Sequence, residues 1–272
     1  MNTFYINLPE ARDRREAIER NFREFAPPHA TLTRVEATQP PQVLARGLQG
    51  KIRSTEIACL LSHRSAIAAS MADEGHCLIV EDDALFGPST FPLLPRLAAL
   101  QDPAIDVIFL SALIADVGSI MNQIQNRRAL VDRGELTLFD LSRVHFSCAD
   151  AYIVKKEAKA KLVGLIDGIP SYDHPYDIIL RHWVHVGAIR AVLTFPCLTS
   201  LSPLADRSDN GNANPTWHAF NAFRRLMAID AKHYPGEIMR SIDAIDPDFY
   251  DQEATDLSRV LRVLLSRKLV IG

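Results

Sequence analysis

The sequence is short of the features that mark several protein classes. It has only four cysteines, Cys59, Cys77, Cys148 and Cys197, widely spaced in apolar surroundings. No pair has metal-finger or redox-motif spacing, so they read as buried free thiols in a reducing compartment. No run approaches eighteen apolar residues, which excludes a membrane-spanning helix. Met1 leads directly into Thr3-Phe4-Tyr5-Ile6-Asn7-Leu8, without the basic start, apolar stretch and cleavage site of a signal peptide, and a cytoplasmic location is expected. There is no excess of positive charge either: the net charge of −3 argues against a nucleic-acid binder, which needs a dominant basic face. Gly-rich phosphate loops, internal repeats and low-complexity tracts are missing as well.

What is present is the mixture of a soluble enzyme, 272 residues with 47% hydrophobic and 23% charged side chains. Short apolar runs alternate with helical patterns, the signature of βαβ units and a mostly parallel sheet. Strands are expected near 3–8, 31–36, 76–81, 105–111, 148–154 and 189–195. Helices are expected near 11–24, 55–72, 89–100, 156–166, 173–186, 217–230 and 255–269. Pro27-Pro28 and Pro40-Pro41 bracket the second strand as loops, and Ser200 to Pro215 reads as an ordered loop or lid. The fold class is α/β, with a main domain over 1–210 and a helical C-terminal region over 211–272 packed on it.

Three segments carry candidate chemistry. In His76-Cys77-Leu78-Ile79-Val80-Glu81-Asp82-Asp83 an apolar strand runs into three carboxylates, and ligands of open α/β sheets bind at strand C-termini. Three adjacent carboxylates repel one another, and hard oxygen donors suit Mn²⁺ or Mg²⁺. Strand alternation puts Glu81 and Asp83 on one side, as the better metal pair, and Asp82 on the other. In Ser54-Thr55-Glu56 to Ser62-His63-Arg64 a capped helix brings Glu56 and His63 onto nearly one line, two turns apart, where they can face a cleft together. Arg64 falls inside the helix's apolar stripe. The third segment, Tyr5 to Arg15, is a strand leading into a basic helix start with Arg12 and Arg14, side chains that pair with phosphate. Asp173 and Asp177, four apart at a helix start, are candidate general bases; Asp and Pro also simply start helices.

In their order and spacing these segments resemble family 25 glycosyltransferases, which include lipopolysaccharide and collagen galactosyltransferases. The residues are Ile6-Asn7-Leu8 with Asp13-Arg14, Glu56-Ile57-Ala58-Cys59 with Ser62-His63, Leu78 to Asp83, Asp106-Val107-Ile108, Ala151-Tyr152-Ile153-Val154 and Pro175-Tyr176-Asp177. The resemblance covers about residues 3–210. It implies a GT-A-like, Rossmann-type fold, a donor such as UDP-galactose or UDP-glucose, and inverting transfer to a hydroxyl of a surface glycan such as lipopolysaccharide. Asn7, Leu8, Arg12, Arg14, Glu56, Ser62, His63 and Asp82 then fall to the donor site, Glu81 and Asp83 to the metal, and Asp177, with Asp173 as the alternative, to the catalytic base. A non-catalytic nucleotide-sugar or glycan binder of the same fold is the alternative. A phosphohydrolase or nucleotidyltransferase would want a second acidic cluster or a phosphate loop. Leu257, Val260, Leu261, Leu264 and Leu265 form a stripe flanked by Arg259, Arg262 and Arg267, a helix that can pack on the core or rest on the anionic inner leaflet of the cytoplasmic membrane, beside a lipid-linked acceptor.

Overall fold

The computed structural model describes residues 1–100, 102–114, 116–207, 215–233 and 252–264. The chain opens with β1 (Asn2–Asn7), whose Phe4, Tyr5 and Ile6 are all buried because the strand is covered on both faces. Helix α1 (Arg12–Phe25) returns along the sheet on Ile18 and Phe22 and delivers the chain to β2 (Leu32–Glu36), parallel to β1. Where the prolines Pro40-Pro41 suggested a loop there is a short helix, α2 (Pro40–Ala45): proline is tolerated at the first helical positions, and Gln39 and Gln42 cap each other. Helix α3 (Ser54–Ala69) follows, then β3 (Cys77–Glu81), parallel to β1 with Ile6 opposite Glu81.

Beyond β3 come β4 (Ala84–Phe86), α4 (Thr90–Ala98), β5 (Val107–Phe109), β6 (Leu113–Ile114), α5 (Val117–Arg133), β7 (Thr137–Asp140), β8 (Phe146–Ser147) and β9 (Ala151–Val154). The remaining elements are α6 (Lys159–Asp167), α7 (Tyr176–His185), β10 (Ala191–Phe195), β11 (Thr199–Leu201), α8 (Pro215–Met227) and α9 (Gln252–Leu264). Seven strands make one sheet in the order β2-β1-β3-β9-β5-β10-β7. Five run one way, while β9 and β7 run against their neighbours. The sheet is the expected mostly parallel, helix-flanked, Rossmann-like one. Strand alternation sends Cys77 and Ile79 into the core beneath α3 and α6, and Leu78 and Val80 into the core beneath α1 and α4.

Because β9 is antiparallel to β3, with Val80 opposite Ala151, the residues leading into β9 lie beside the end of β3, and the Glu81 amide donates to the Asp150 carbonyl at 2.8 Å. The segment read from sequence as a loop or lid begins with β11, which pairs with β4, and a 3₁₀ turn over Pro203–Arg207. Residues 208–214 lie outside the described residues. Helix α8 is anchored by Arg225, wholly buried, whose guanidinium donates to the carbonyls of Leu201 and Ser202 and pairs with Asp206 at 3.0 Å. In α9 the described apolar side chains Leu257, Val260 and Leu261 are exposed. Leu265 and Arg267 of the expected stripe lie outside the described residues. Among those residues no helix is long and apolar enough to cross a membrane.

Candidate active site

Parallel pairing of β1 with β3 brings Asn7 next to the acidic triplet. Asn7 Nδ2 donates to Asp82 Oδ2 at 2.7 Å, and Arg14, in the first turn of α1, donates from Nη1 to Asp82 Oδ1 at 2.6 Å. The other arm of Arg14 reaches the Leu204 carbonyl at 3.0 Å and Asp83 Oδ2 at 3.4 Å. Asp82 is therefore a buried anchor tying β1, α1 and β3 together. Burial raises its pKa despite Arg14 and Asn7.

Glu81 and Asp83 are held differently. His63 of α3, fully buried, sits 3.2 Å from Glu81 through Nε2 and 3.0 Å from the Tyr152 hydroxyl through Nδ1. Its ring stacks on Tyr176 with centroids 4.3 Å apart. Burial opposes ionisation of Glu81, but the hydrogen bond and charge of His63, with Arg14 and Arg224 behind, outweigh it and hold the pKa below the usual range. Asp83 has no such partner: burial first, then repulsion by Glu81, pushes its carboxyl up to about 7, against the pull of Arg14. Its Oδ1 is buried without a hydrogen-bond partner among the described residues.

An orphaned buried carboxylate oxygen beside a second carboxylate fits a hard divalent cation, which would supply the missing charge. A softer set also exists, since ligand atoms of Cys59, His63 and Glu81 lie within 4.8 Å of one another. The Cys59 thiol is driven well above its ordinary pKa by burial and by the surrounding carboxylates, so it stays protonated and is the poorer donor.

Glu81 and Asp83 form a partition between two clefts. One, of about 780 Å³, is lined by Asn7, Leu8, Arg14, Thr38, Ser62 and His63, among others. The second, of about 790 Å³, lies between the partition, the 148–150 turn and α8. In the second cleft Asp150 is paired with Arg224, each almost fully buried, and Arg224 also donates to Ser111 Oγ at 3.0 Å. Burial raises the pKa of Asp150, with Arg224 partly offsetting it.

A family model described as "Glycosyltransferase family 25 (LPS biosynthesis protein)" matches residues 1–180. The chain belongs to glycosyltransferase family 25. It is accordingly a glycosyltransferase of lipopolysaccharide biosynthesis, and its substrates are a nucleotide-sugar donor and a glycan acceptor. No curated protein matches the chain. The matched span of the family 25 domain holds β1, α3, β3 and the 148–150 turn, while α8 lies beyond it.

Four of the residues read from sequence line neither cleft. Arg12 is exposed at the start of α1. Glu56 caps its own helix, accepting from the Arg53 amide at 2.9 Å, because a residue two turns before His63 falls at the helix start. Asp173 is surface-bound to Ser171 Oγ at 2.9 Å and to Lys51. Asp177 accepts the amides of Cys148 at 2.8 Å and Ile178 at 2.9 Å. Cys148 has φ of 69°, a left-handed conformation that costs a non-glycine residue energy. Asp177 thus fixes the strained turn that presents Asp150. Ser62 lines its cleft while bonded to the Thr38 amide and the Ala58 carbonyl. Cys59 and Cys148 are only partly buried, unlike Cys77 and Cys197, because they border the clefts. Arg64, unexplained by its stripe, forks onto Asp167 of α6 at 2.9 and 2.8 Å. The second cleft's Asp150, Asp206 and α8 residues went unread; the expected strand 148–154 placed Asp150 inside a ladder.

Proposed function

We propose that this family 25 enzyme transfers a hexose, galactose or glucose, from its UDP derivative to a hydroxyl of a lipopolysaccharide-type glycan, with inversion and with Mn²⁺ or Mg²⁺ as cofactor. The observation that carries the reading is the pair of clefts sharing Glu81 and Asp83. An inverting displacement needs its donor and acceptor on opposite sides of the reacting carbon, and a shared carboxylate wall supplies that arrangement.

In this reading the cleft of Asn7, Arg14, Ser62 and His63 takes the donor, and Glu81 and Asp83 would hold the cation. When bound, the cation neutralises the charge that develops on the leaving diphosphate. The chain's own residues do the rest. Asn7 and Arg14 lock Asp82 and so fix where the triplet stands. The stacked, doubly bonded His63 keeps Glu81 ionised and pointed at the partition. On the acceptor side, Asp150 is the best placed general base: Oδ1 is held by Arg224, while Oδ2 is buried in the cleft without a partner among the described residues. Asp177, committed to two backbone amides, orients that turn rather than taking the proton.

The test is turnover of UDP-hexoses by the purified protein. Activity should vanish with a chelator and in Asp83→Ala, return with Mn²⁺ or Mg²⁺ in the wild type, and fall on the order of a hundredfold in Asp150→Asn with donor affinity kept. Full turnover in chelator overturns the metal assignment. Nucleotide-sugar binding without any turnover makes the protein a binder.

A further inference from the structure

Glu81 is half of the hard-cation pair, yet it also meets a softer set of donors. Among the described residues, one group of cysteine, histidine and carboxylate side chains brings its ligand atoms within 4.8 Å of one another: Cys59, His63 and Glu81. Cys59 and His63 stand four apart on α3 and share one face, the spacing by which a helix lends two ligands to a single zinc ion. Glu81 comes in from the end of β3, with Oε1 already 3.2 Å from His63 Nε2. Zinc bonds of about 2.0–2.3 Å at tetrahedral angles put neighbouring ligand atoms roughly 3.4–3.6 Å apart. The set therefore has to close by little more than about 1 Å, which rotation of the partly exposed Cys59 and Glu81 side chains supplies. All three residues line the cleft of Asn7 and Arg14, so a fourth position faces that cleft, open to water or a phosphate oxygen.

What lies behind His63 suits the same role. The ring is stacked on Tyr176, and Nδ1 is 3.0 Å from the Tyr152 hydroxyl, itself 3.1 Å from the Tyr176 hydroxyl. A metal-bound imidazole hands its remaining N–H to an outer acceptor, and that contact fixes the ring's orientation. With a metal on Nε2, the Nδ1–H donates to the Tyr152 oxygen and Tyr152 donates to Tyr176. Tyrosine hydroxyls both donate and accept, so the pair supports the ring with or without a metal in front of it.

The donor set decides which ion enters. Manganese and magnesium favour oxygen ligands and leave a thiol alone, whereas sulfur and imidazole together suit zinc, which also binds most sites more tightly than manganese. We propose that Cys59, His63 and Glu81 form a zinc site, and that zinc bound there takes Glu81 from the hard cation and so displaces Mn²⁺ from the donor cleft. Binding breaks the S–H bond of Cys59, forms a Zn–S bond and releases the proton to solvent; the thiolate and the Glu81 carboxylate then neutralise the ion's charge. The site follows from the geometry of α3 and β3. The competition rests on the assignment of the hard cation to Glu81 and Asp83 made above.

Cobalt(II) occupies zinc sites and reports their ligands in its absorption, so it is the probe for the first measurement. Titrating Co²⁺ into the wild-type protein should give a saturable sulfur-to-cobalt charge-transfer band that stoichiometric Zn²⁺ abolishes and that Cys59→Ala lacks. The second measurement follows free Mn²⁺ by its electron paramagnetic resonance signal, with UDP present. Stoichiometric Zn²⁺ should release bound Mn²⁺ from the wild type, and Cys59→Ala should need about tenfold more Zn²⁺ or above for the same release. Absence of the charge-transfer band in the wild type, or an undiminished band in Cys59→Ala, would overturn the site; the first of these depends on no variant. Mn²⁺ that stays bound once the cobalt band shows the site to be filled with zinc would overturn the competition. A charge-transfer band in a protein that binds no Mn²⁺ at all would remove the hard-cation assignment and leave the zinc site standing.

Discussion

Replacing Arg224 by methionine breaks a deeply buried ion pair from one side. Arg224 and Asp150 have side chains 6% and 5% exposed, so the substitution leaves a carboxylate buried without its counter-ion. Breaking such a pair from one side costs roughly 3–5 kcal/mol, because the desolvation already suffered is no longer offset. That is a large part of the roughly 5–15 kcal/mol that holds a typical domain folded. At roughly 2–4 °C per kcal/mol for chains of this size, Arg224→Met should lower Tm by roughly 6–20 °C. Arg224→Met/Asp150→Leu removes both charges and should recover most of the loss, apart from about 1 kcal/mol for the hydrogen bond to Ser111. Calorimetric melts of wild type, both single variants and the double variant close the cycle and give the coupling directly. A single-variant shift below about 3 °C, or a double variant no more stable than Arg224→Met, would refute the reasoning.

The other predictions are read from individual contacts. Gly50→Ala puts a Cβ 1.9 Å from the Tyr172 carbonyl oxygen and should cost about 1–3 kcal/mol by urea unfolding. Arg64→Met breaks a two-pronged but partly exposed pair with Asp167, and the same assay should show a loss of no more than about 1 kcal/mol. Asp177→Asn keeps an oxygen for the Cys148 amide and should retain turnover within a few-fold, whereas Asp177→Ala should lower both Tm and turnover; a hundredfold drop in Asp177→Asn would make it the base after all. The exposed Leu257, Val260 and Leu261 of α9, with Arg259 beside them, should give weak flotation with anionic vesicles that disappears as salt rises. No flotation at low salt would remove the membrane contact.

Periodicity made most of the central sheet legible. The run Cys77 to Val80 reads as a strand buried on both faces, and the carboxylates that follow it stand at that strand's C-terminal end. The direction of β9 was not legible, because a four-residue apolar strand reads the same whichever way it runs, and with it went the place of Asp150. Helix α5 was missed for another reason. Its seventeen residues are polar around most of their circumference and give little amphipathic signal, although Asp116 caps its start and Gly134, with φ of 66°, ends it. Asp177 shows the limit of motif reading: a carboxylate at a helix start has the same sequence signature whether it takes a proton from substrate or an amide from the backbone. Arg64 and Glu56 were undecidable from spacing alone because their partners are, respectively, 103 residues away on α6 and inside the same helical turn.

The reversed strand at the centre of the sheet also governs how the chain is made. β1, β2 and β3 find one another within the first 81 residues, so that half of the sheet can assemble while the rest is still being synthesised. Its far edge, along β3, has no native partner until residues 151–154 leave the ribosome. β5, completed some forty residues before β9, waits as well, since β9 and β10 flank it on either side. For that interval the nascent protein carries an apolar strand with an unpaired row of backbone donors and acceptors, the arrangement most open to pairing with another chain. The strand that brings Asp150 to the partition is thus also the one that joins β3 to β5, and a nascent chain halted before it has neither a complete site nor a partner for the edge of β3.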